Sequence, residues 1–467
     1  MRKSITAENR AEMMLEAPLD RVIPRLAVPT IISMLITAVY NMADTYFVSR
    51  ISTEASAAVG VVFSAMSIIQ ACAFTIGMGS GANMSRALGA GKKKEADTFV
   101  SVGFFTAFLA GIILMTVSNL NLASIVRFLG ATNEILPHAE AYAGYIFYAA
   151  PFMMSSFVMN NLLRFQGLAA YAMVGISSGG ILNIFLDPIL IFGFGMGTAG
   201  AALATGISQF VSFCILLGMS NLRKETISIT PKNFKPSLHL YARIFYNGVP
   251  SLGRQGIASV ATILLNRVAG GISTDPATVS AAIAAMSIVN RFVMFINSAV
   301  IGFGQGFQPV CAFCWGAGRV KRVRDAFFYC VKVTSILLLV LAGIAFGFAG
   351  TIIRFFRAED PIVVEIGTRA LRLQLLTLPL WGFYTMANMC TQSIGFGGRA
   401  LLVSSARQGI FLIPMLLILP RLFGILGLQL SQPVADLCAL ALSTVVMSGI
   451  LKMMQGEELE SEWKQTG

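Results

Sequence analysis

About a dozen apolar runs, each near or above the ~20 residues that cross a ~30 Å hydrocarbon layer, follow one another along this chain. They can be placed near 22–48, 57–83, 98–119, 138–160, 171–192, 198–220, 243–268, 279–310, 327–350, 363–391, 400–419 and 424–452. Lipid offers the backbone no hydrogen-bond partners, so runs of this length and composition must be helices. The fold class that follows is an all-α polytopic membrane protein with twelve transmembrane helices. Of its 467 residues 56% are apolar and only 12% charged, about half the charged share of a soluble domain. The polar remainder, residues 1–20, 221–242 and 453–467, leaves no room for a folded soluble domain.

The formal charge of +12 does not point to nucleic acid, because the Lys and Arg are spread through short loops and form no patch on a folded surface. They report orientation. With both termini inside, twenty basic residues fall in the inner segments and only Arg50, Arg127, Arg354, Arg357 and Arg421 in the outer loops. The positive-inside rule then predicts cytoplasmic termini and a multi-pass location in the plasma membrane. Cys311 and Cys314 have CxxC spacing, but no second pair or nearby His accompanies them, so no zinc site and no cofactor is expected.

An internal repeat organises the spans. Leu-Ala-Val-Pro29 returns as Asn-Gly-Val-Pro250, Ile76-Gly-Met-Gly-Ser-Gly81 as Ile301-Gly-Phe-Gly-Gln-Gly306, and Phe185-Leu-Asp-Pro188 as Phe411-Leu-Ile-Pro414. Six spans per copy is an even number, so the copies share one orientation and an axis along the membrane normal. This predicts an N-lobe over 21–220 and a C-lobe over 243–452, two pseudo-symmetric six-helix bundles joined by residues 221–242. The glycine runs Gly77, Gly79, Gly81 and Gly302, Gly304, Gly306 read as close-packing or bending positions, because no strand precedes them as a phosphate cradle requires.

Within that frame the stretch Asn183-Ile-Phe-Leu-Asp187-Pro188 stands out, because it places an amide and a carboxylate one turn apart on the same helix face. Pro188 cannot donate to the helix ladder and frees the carbonyl of Ile184. An acidic residue at membrane depth is functional by default, since it is costly unless protonated, paired or bound to a cation. Asp44 follows Asn41 by three residues in the equally apolar first span. Each Asp lies about five residues from the outer end of its span, roughly 7 Å deep, so the two can share one pocket.

The spacing of Pro29, Asn41 and Asp44, the G-x-G-x-G and Gly-Ala-Gly-Lys of the second span, Asn183-x3-Asp187-Pro188, and Gly200 to Thr205 in the sixth span together resemble the multidrug and toxic compound extrusion (MATE) transporters, in particular the prokaryotic drug-efflux branch. The likeness covers residues 15 to 452. It implies export of amphipathic, usually cationic compounds by alternating access, in exchange for H+ or Na+ and without a nucleic-acid partner, by a chain that works as a monomer. Carried over by matching motif, Asp44, Asn183, Asp187 and Thr205 form an N-lobe cation site suited to Na+ or to protons, with Asn41 beside it and Pro29 at a bend of the first helix. Some relatives carry acidic residues in the seventh and eighth helices. Here those helices hold Arg254, Gln255, Arg267 and Arg291, so the resemblance does not extend to a C-lobe cation site.

Candidate cleft residues for the small-molecule substrate are Tyr40, Phe152, Met153, Phe157, Asn160, Gln255, Arg267 and Arg291. Arginines facing the cleft would suit anionic substrates instead, and a flippase or exporter of anionic or lipid-linked compounds is the alternative function. An enzyme is not expected, because no nucleophile and base are paired. Asp436 in the last span matches no motif and reads as a local ion pair or packing residue.

Overall fold

A computed structural model of the chain describes residues 7–222, 226–270, 276–356 and 360–466. The basic residues Arg2, Lys3, Arg223, Lys224 and Arg357 lie outside them. The described residues form twelve spanning helices: α1 Leu19–Ser49, α2 Thr53–Gly89, α3 Lys93–Leu120, α4 Leu136–Phe165, α5 Ala169–Gly193, α6 Gly197–Asn221, α7 Leu238–Gly270, α8 Pro276–Gly316 and α9 Val320–Gly347, followed by α10 over 361–394, α11 over 397–423 and α12 over 425–466. The α11–α12 boundary is a sharp kink at Gly424 (φ 56°, ψ −132°), which takes the place of a loop. Most helices outrun the apolar stretches that predict them; α2, for example, has 37 residues. Polar first turns explain the excess: Ser52 caps α2 by accepting from the Ala55 N–H at 3.0 Å, and Asp360 caps α10 ahead of Pro361.

Each bundle has its own core. In the N-lobe, side chains such as Met78, Phe99, Phe104, Ile146 and Phe165 fill the space between helices; in the C-lobe, Leu265, Val289, Ile353, Leu371 and Trp381 do so. The bundles meet along the halves of α1, α2, α7 and α8 nearest the termini. Thr30 donates to the Gly302 carbonyl at 2.6 Å, Asn83 to the Arg243 carbonyl at 3.1 Å and Arg86 to the Ser393 carbonyl at 2.8 Å. Backbones touch there because the residues are glycines, as the repeated glycine runs predict. A Cβ on Gly79 would run into the Ile244 carbonyl, and one on Gly316 into the carbonyl of Arg86. Toward their other ends the same helices expose Val39, Met42, Phe63, Ile68, Val260 and Met294, so the cleft between the lobes opens away from the termini.

The N-terminal segment is not a free tail. Residues Ala7–Leu15 form a helix lying across the closed end, where Arg10 donates to the Gln166 carbonyl of the N-lobe at 3.5 Å. On the C-lobe side Arg322 donates through Nε to the Met14 carbonyl at 2.7 Å and through Nη2 to that of Ala17. Met14, fully buried, fills the space over Gly167.

Candidate functional site

Pro188 acts on the helix as its chemistry requires: the α-helical ladder of α5 ends there and the chain continues as a π-helical turn, Ile189–Gly193, with the Phe194 N–H donating to the Ile189 carbonyl at 2.9 Å. The residues just before this irregularity hold the polar cluster. Asn183 Nδ2 lies 3.2 Å from Asp187 Oδ1 and 3.3 Å from Thr205 Oγ1 and donates to both. Three of the motif-matched residues are thereby joined, and Asp187, Asn183 and Thr205 are all buried.

Asp44 reaches the same pocket from α1. Its carboxylate is close enough to that of Asp187 for the two to interact, and Tyr142 of α4, fully buried, donates through its hydroxyl to Asp44 Oδ2 at 3.4 Å and lies near both carboxylates. Tyr142 belongs to no motif recognised in the sequence. Only its polar hydroxyl in an otherwise aromatic and aliphatic stretch could have drawn notice. Tyr40, one turn before Asp44, is buried against Gly180 of α5 and close enough to interact with the Asp44 charge. Asn41 is half-buried in α1 three residues before Asp44, and its backbone carbonyl accepts from Thr45 at 2.9 Å.

The hydrogen bonds leave three acceptor atoms over. Asp44 Oδ1, Asn183 Oδ1 and Asp187 Oδ2 are each buried without a donor. Buried acceptors left alone cost about 1–3 kcal/mol each, more when charged. Orphan oxygens from three side chains beside a hydroxyl form a donor set for a hard cation, or for protons on the carboxylates.

The cleft candidates separate. Phe152 is half-buried and packs edge-on against Phe210 and Phe213 of α6 with ring centroids 5.0 and 5.3 Å away. Met153 is fully enclosed in the N-lobe core, so in this conformation it lines no cleft. Met153 is enclosed because α4 is packed on nearly every side, and its side chain there serves helix packing. Phe157 stacks near Phe74 of α2 at 5.3 Å, and Asn160 Nδ2 donates to the Ala172 carbonyl at 2.9 Å. Gln255 is half-buried, while Arg267 and Arg291 are exposed. Pro29 lies within a helix that continues through it to Ser49, so α1 is unbroken here.

The C-lobe has a buried carboxylate of another kind. Asp436 accepts from Arg407 Nε at 2.7 Å and Gln432 at 2.8 Å on one oxygen, and from Thr377 and Trp381, each at 2.9 Å, on the other. The Arg407 guanidinium also stacks 3.6 Å from the Trp381 ring centroid. Asp436 is therefore the local ion pair its lack of motif suggests, saturated with donors.

Known proteins with this arrangement agree in sequence and shape. The chain is 27% identical over 435 residues to the multidrug export protein MepA of Staphylococcus aureus, covering 92% of this chain and 94% of the relative. It superposes with TM-score 0.88 and 26% identity on a solved structure described as the outward-facing conformation of a multidrug resistance MATE family transporter, over 96% of this chain and 98% of that one. It does so equally, at 25% identity over 96% and 99%, on a MATE structure in the straight conformation. The MatE family model matches twice, over residues 29–189 and 250–418, and the chain belongs to that family of multi-pass membrane transporters.

Proposed function

We propose that the protein is a secondary antiporter that exports amphipathic cationic compounds in exchange for H+ or Na+. The observation that carries this reading is the set of unpartnered oxygens of Asp44, Asn183 and Asp187 in one lobe, beside the open cleft. Protons or Na+ entering through the open side neutralise the two carboxylates and remove their attraction for a bound organic cation, which leaves. Release of the ion on the other side restores the negative charge, and a new cation is drawn in through the apolar cleft, where Coulomb attraction is poorly screened. The lobes exchange facing as near-rigid bodies, and the ion's different affinity for the two facings is what makes the cycle an exchange.

The test is dye efflux in vesicles under an imposed H+ or Na+ gradient, with Asp44→Asn and Asp187→Asn compared against wild type at equal expression. Both substitutions are expected to abolish gradient-driven export. Full export by both variants would remove the coupling site from the account.

One observation favours a second reading, the export of anionic compounds. Arg164 of α4 is buried, keeps Nε and Nη1 without partners and feels the charge of Arg254 from α7. Two cations held near each other suit an anion, and preference for anionic over cationic dyes in the same vesicles would decide for it.

A further inference from the structure

Away from the cleft, a cavity of about 820 Å³ lies between the end of α9, the short helix Ala349–Phe356 that follows it, and the first turns of α10. Its charged lining is lopsided: Arg354, Arg369 and Arg372 against Glu365, with Phe346, Leu373 and Leu376 as the apolar wall. None of the three arginines forms an ion pair among the described residues. The Arg372 guanidinium is held over the Phe346 ring, 5.3 Å from its centroid, so its position is fixed by packing and not by a carboxylate.

The level of this cavity in the bilayer follows from helix length. From Pro361 to Ile394, α10 is ~50 Å long at 1.5 Å per residue, against a ~30 Å hydrocarbon core. Dividing the excess evenly leaves ~10 Å beyond the core at each end. Arg369 and Arg372 lie roughly 12 and 17 Å along the helix from Pro361, within ~7 Å of the core boundary, and because helical side chains lean toward the N-terminus their long stems carry the guanidinium groups up toward the lipid phosphates. Below them the apolar wall continues without a break: Leu337, Val340, Leu341 and Ile344 of α9 and Leu376 of α10 are all exposed, as a face in contact with acyl chains must be.

We propose that this cavity binds the headgroup of an anionic glycerophospholipid from the leaflet opposite the termini, its phosphodiester gripped by Arg369 and Arg372, with Arg354 closing from above and its acyl chains lying along α9. Guanidinium forks match phosphate oxygens in pairs, and the volume lies within the range of small-ligand sites. A soluble anion would make the same contacts with the arginines but leave the apolar wall unused, so the continuity of that wall selects a lipid.

Native mass spectrometry of the full chain in detergent, with phosphatidylglycerol or phosphatidylcholine added, tests the assignment. Wild type is expected to retain phosphatidylglycerol about tenfold better than phosphatidylcholine. Arg354→Gln/Arg369→Gln/Arg372→Gln should lose that preference while keeping its ion-driven dye efflux. Should the triple variant fail to fold, Arg369→Gln and Arg372→Gln alone should each lower retention severalfold. Equal retention of both lipids by wild type, or undiminished phosphatidylglycerol retention by the variants, overturns the proposal. So does displacement of the lipid by millimolar inorganic phosphate, which would mark a soluble-anion site.

Discussion

Gly79 of α2 lies directly against the carbonyl oxygen of Ile244 in α7, with no space for a side chain between the two backbones. The same holds one turn along the seam, where Gly248 of α7 meets the carbonyl of Thr75 in α2. Closure at the termini side therefore depends on residues without a Cβ at these points.

Gly79→Ala should push α2 and α7 apart. Overpacking typically costs about 1–3 kcal/mol, and 1.4 kcal/mol is a tenfold shift between two facings. Electron-spin distances across the closed end are expected to show the alternative facing enriched about tenfold, with efflux reduced to match. An unchanged distance distribution would mean that the seam can yield locally.

Tyr142→Phe removes the only donor to the Asp44 side chain among the described residues and leaves the ring in place. Hydrogen bonds to charged groups are worth about 1.5–3 kcal/mol, and the Asp44 carboxylate loses its tether. Ion-driven efflux should fall about tenfold or more at unchanged expression, and the apparent affinity for the driving ion should change with it. Wild-type ion dependence in the Phe variant would leave Tyr142 as a packing residue.

Arg407→Met leaves Asp436 buried and unpaired, a change that costs about 3–5 kcal/mol. Thermal unfolding should come at a clearly lower Tm, and Arg407→Met/Asp436→Leu should recover most of the loss. The pair contributes to stability alone if the double variant also retains efflux.

Arg322→Ala cuts the C-lobe attachment of the N-terminal helix while leaving Arg10 on the N-lobe. Opening the termini side requires that helix to release one lobe, so the variant should open there more readily. Accessibility of a cysteine introduced in place of Ser85, which is buried where α2 meets the Pro309 carbonyl of α8, to a water-soluble thiol reagent is expected to rise severalfold in the Arg322→Ala background.

How far the sequence could be read depended on where each signal resides. The twelve helices were legible because apolar length is a local property, and the closed seam because its glycines recur in both halves. Asn183 and Asp187 were legible as one turn of one helix. Tyr142 was not: it meets Asp44 across 98 positions of chain, and a tyrosine among aromatic neighbours gives no local sign of its partner. Met153 misled for the reverse reason, since a methionine in α4 looks the same in sequence whether it faces the cleft or sits enclosed in the N-lobe core. The N-terminal helix shows in sequence only as part of a polar segment, because on the C-lobe side the groups that Arg322 holds are backbone carbonyls, which every sequence has.

The four donors around Asp436 make the two bundles electrically unlike despite their shared ancestry of form. One half has its buried carboxylate fully matched by donors, whereas the other keeps oxygens of Asp44, Asn183 and Asp187 without a donor among the described residues. On the proposed antiport, an ion would have to complete that half alone, and a single occupancy would set the direction of the cycle.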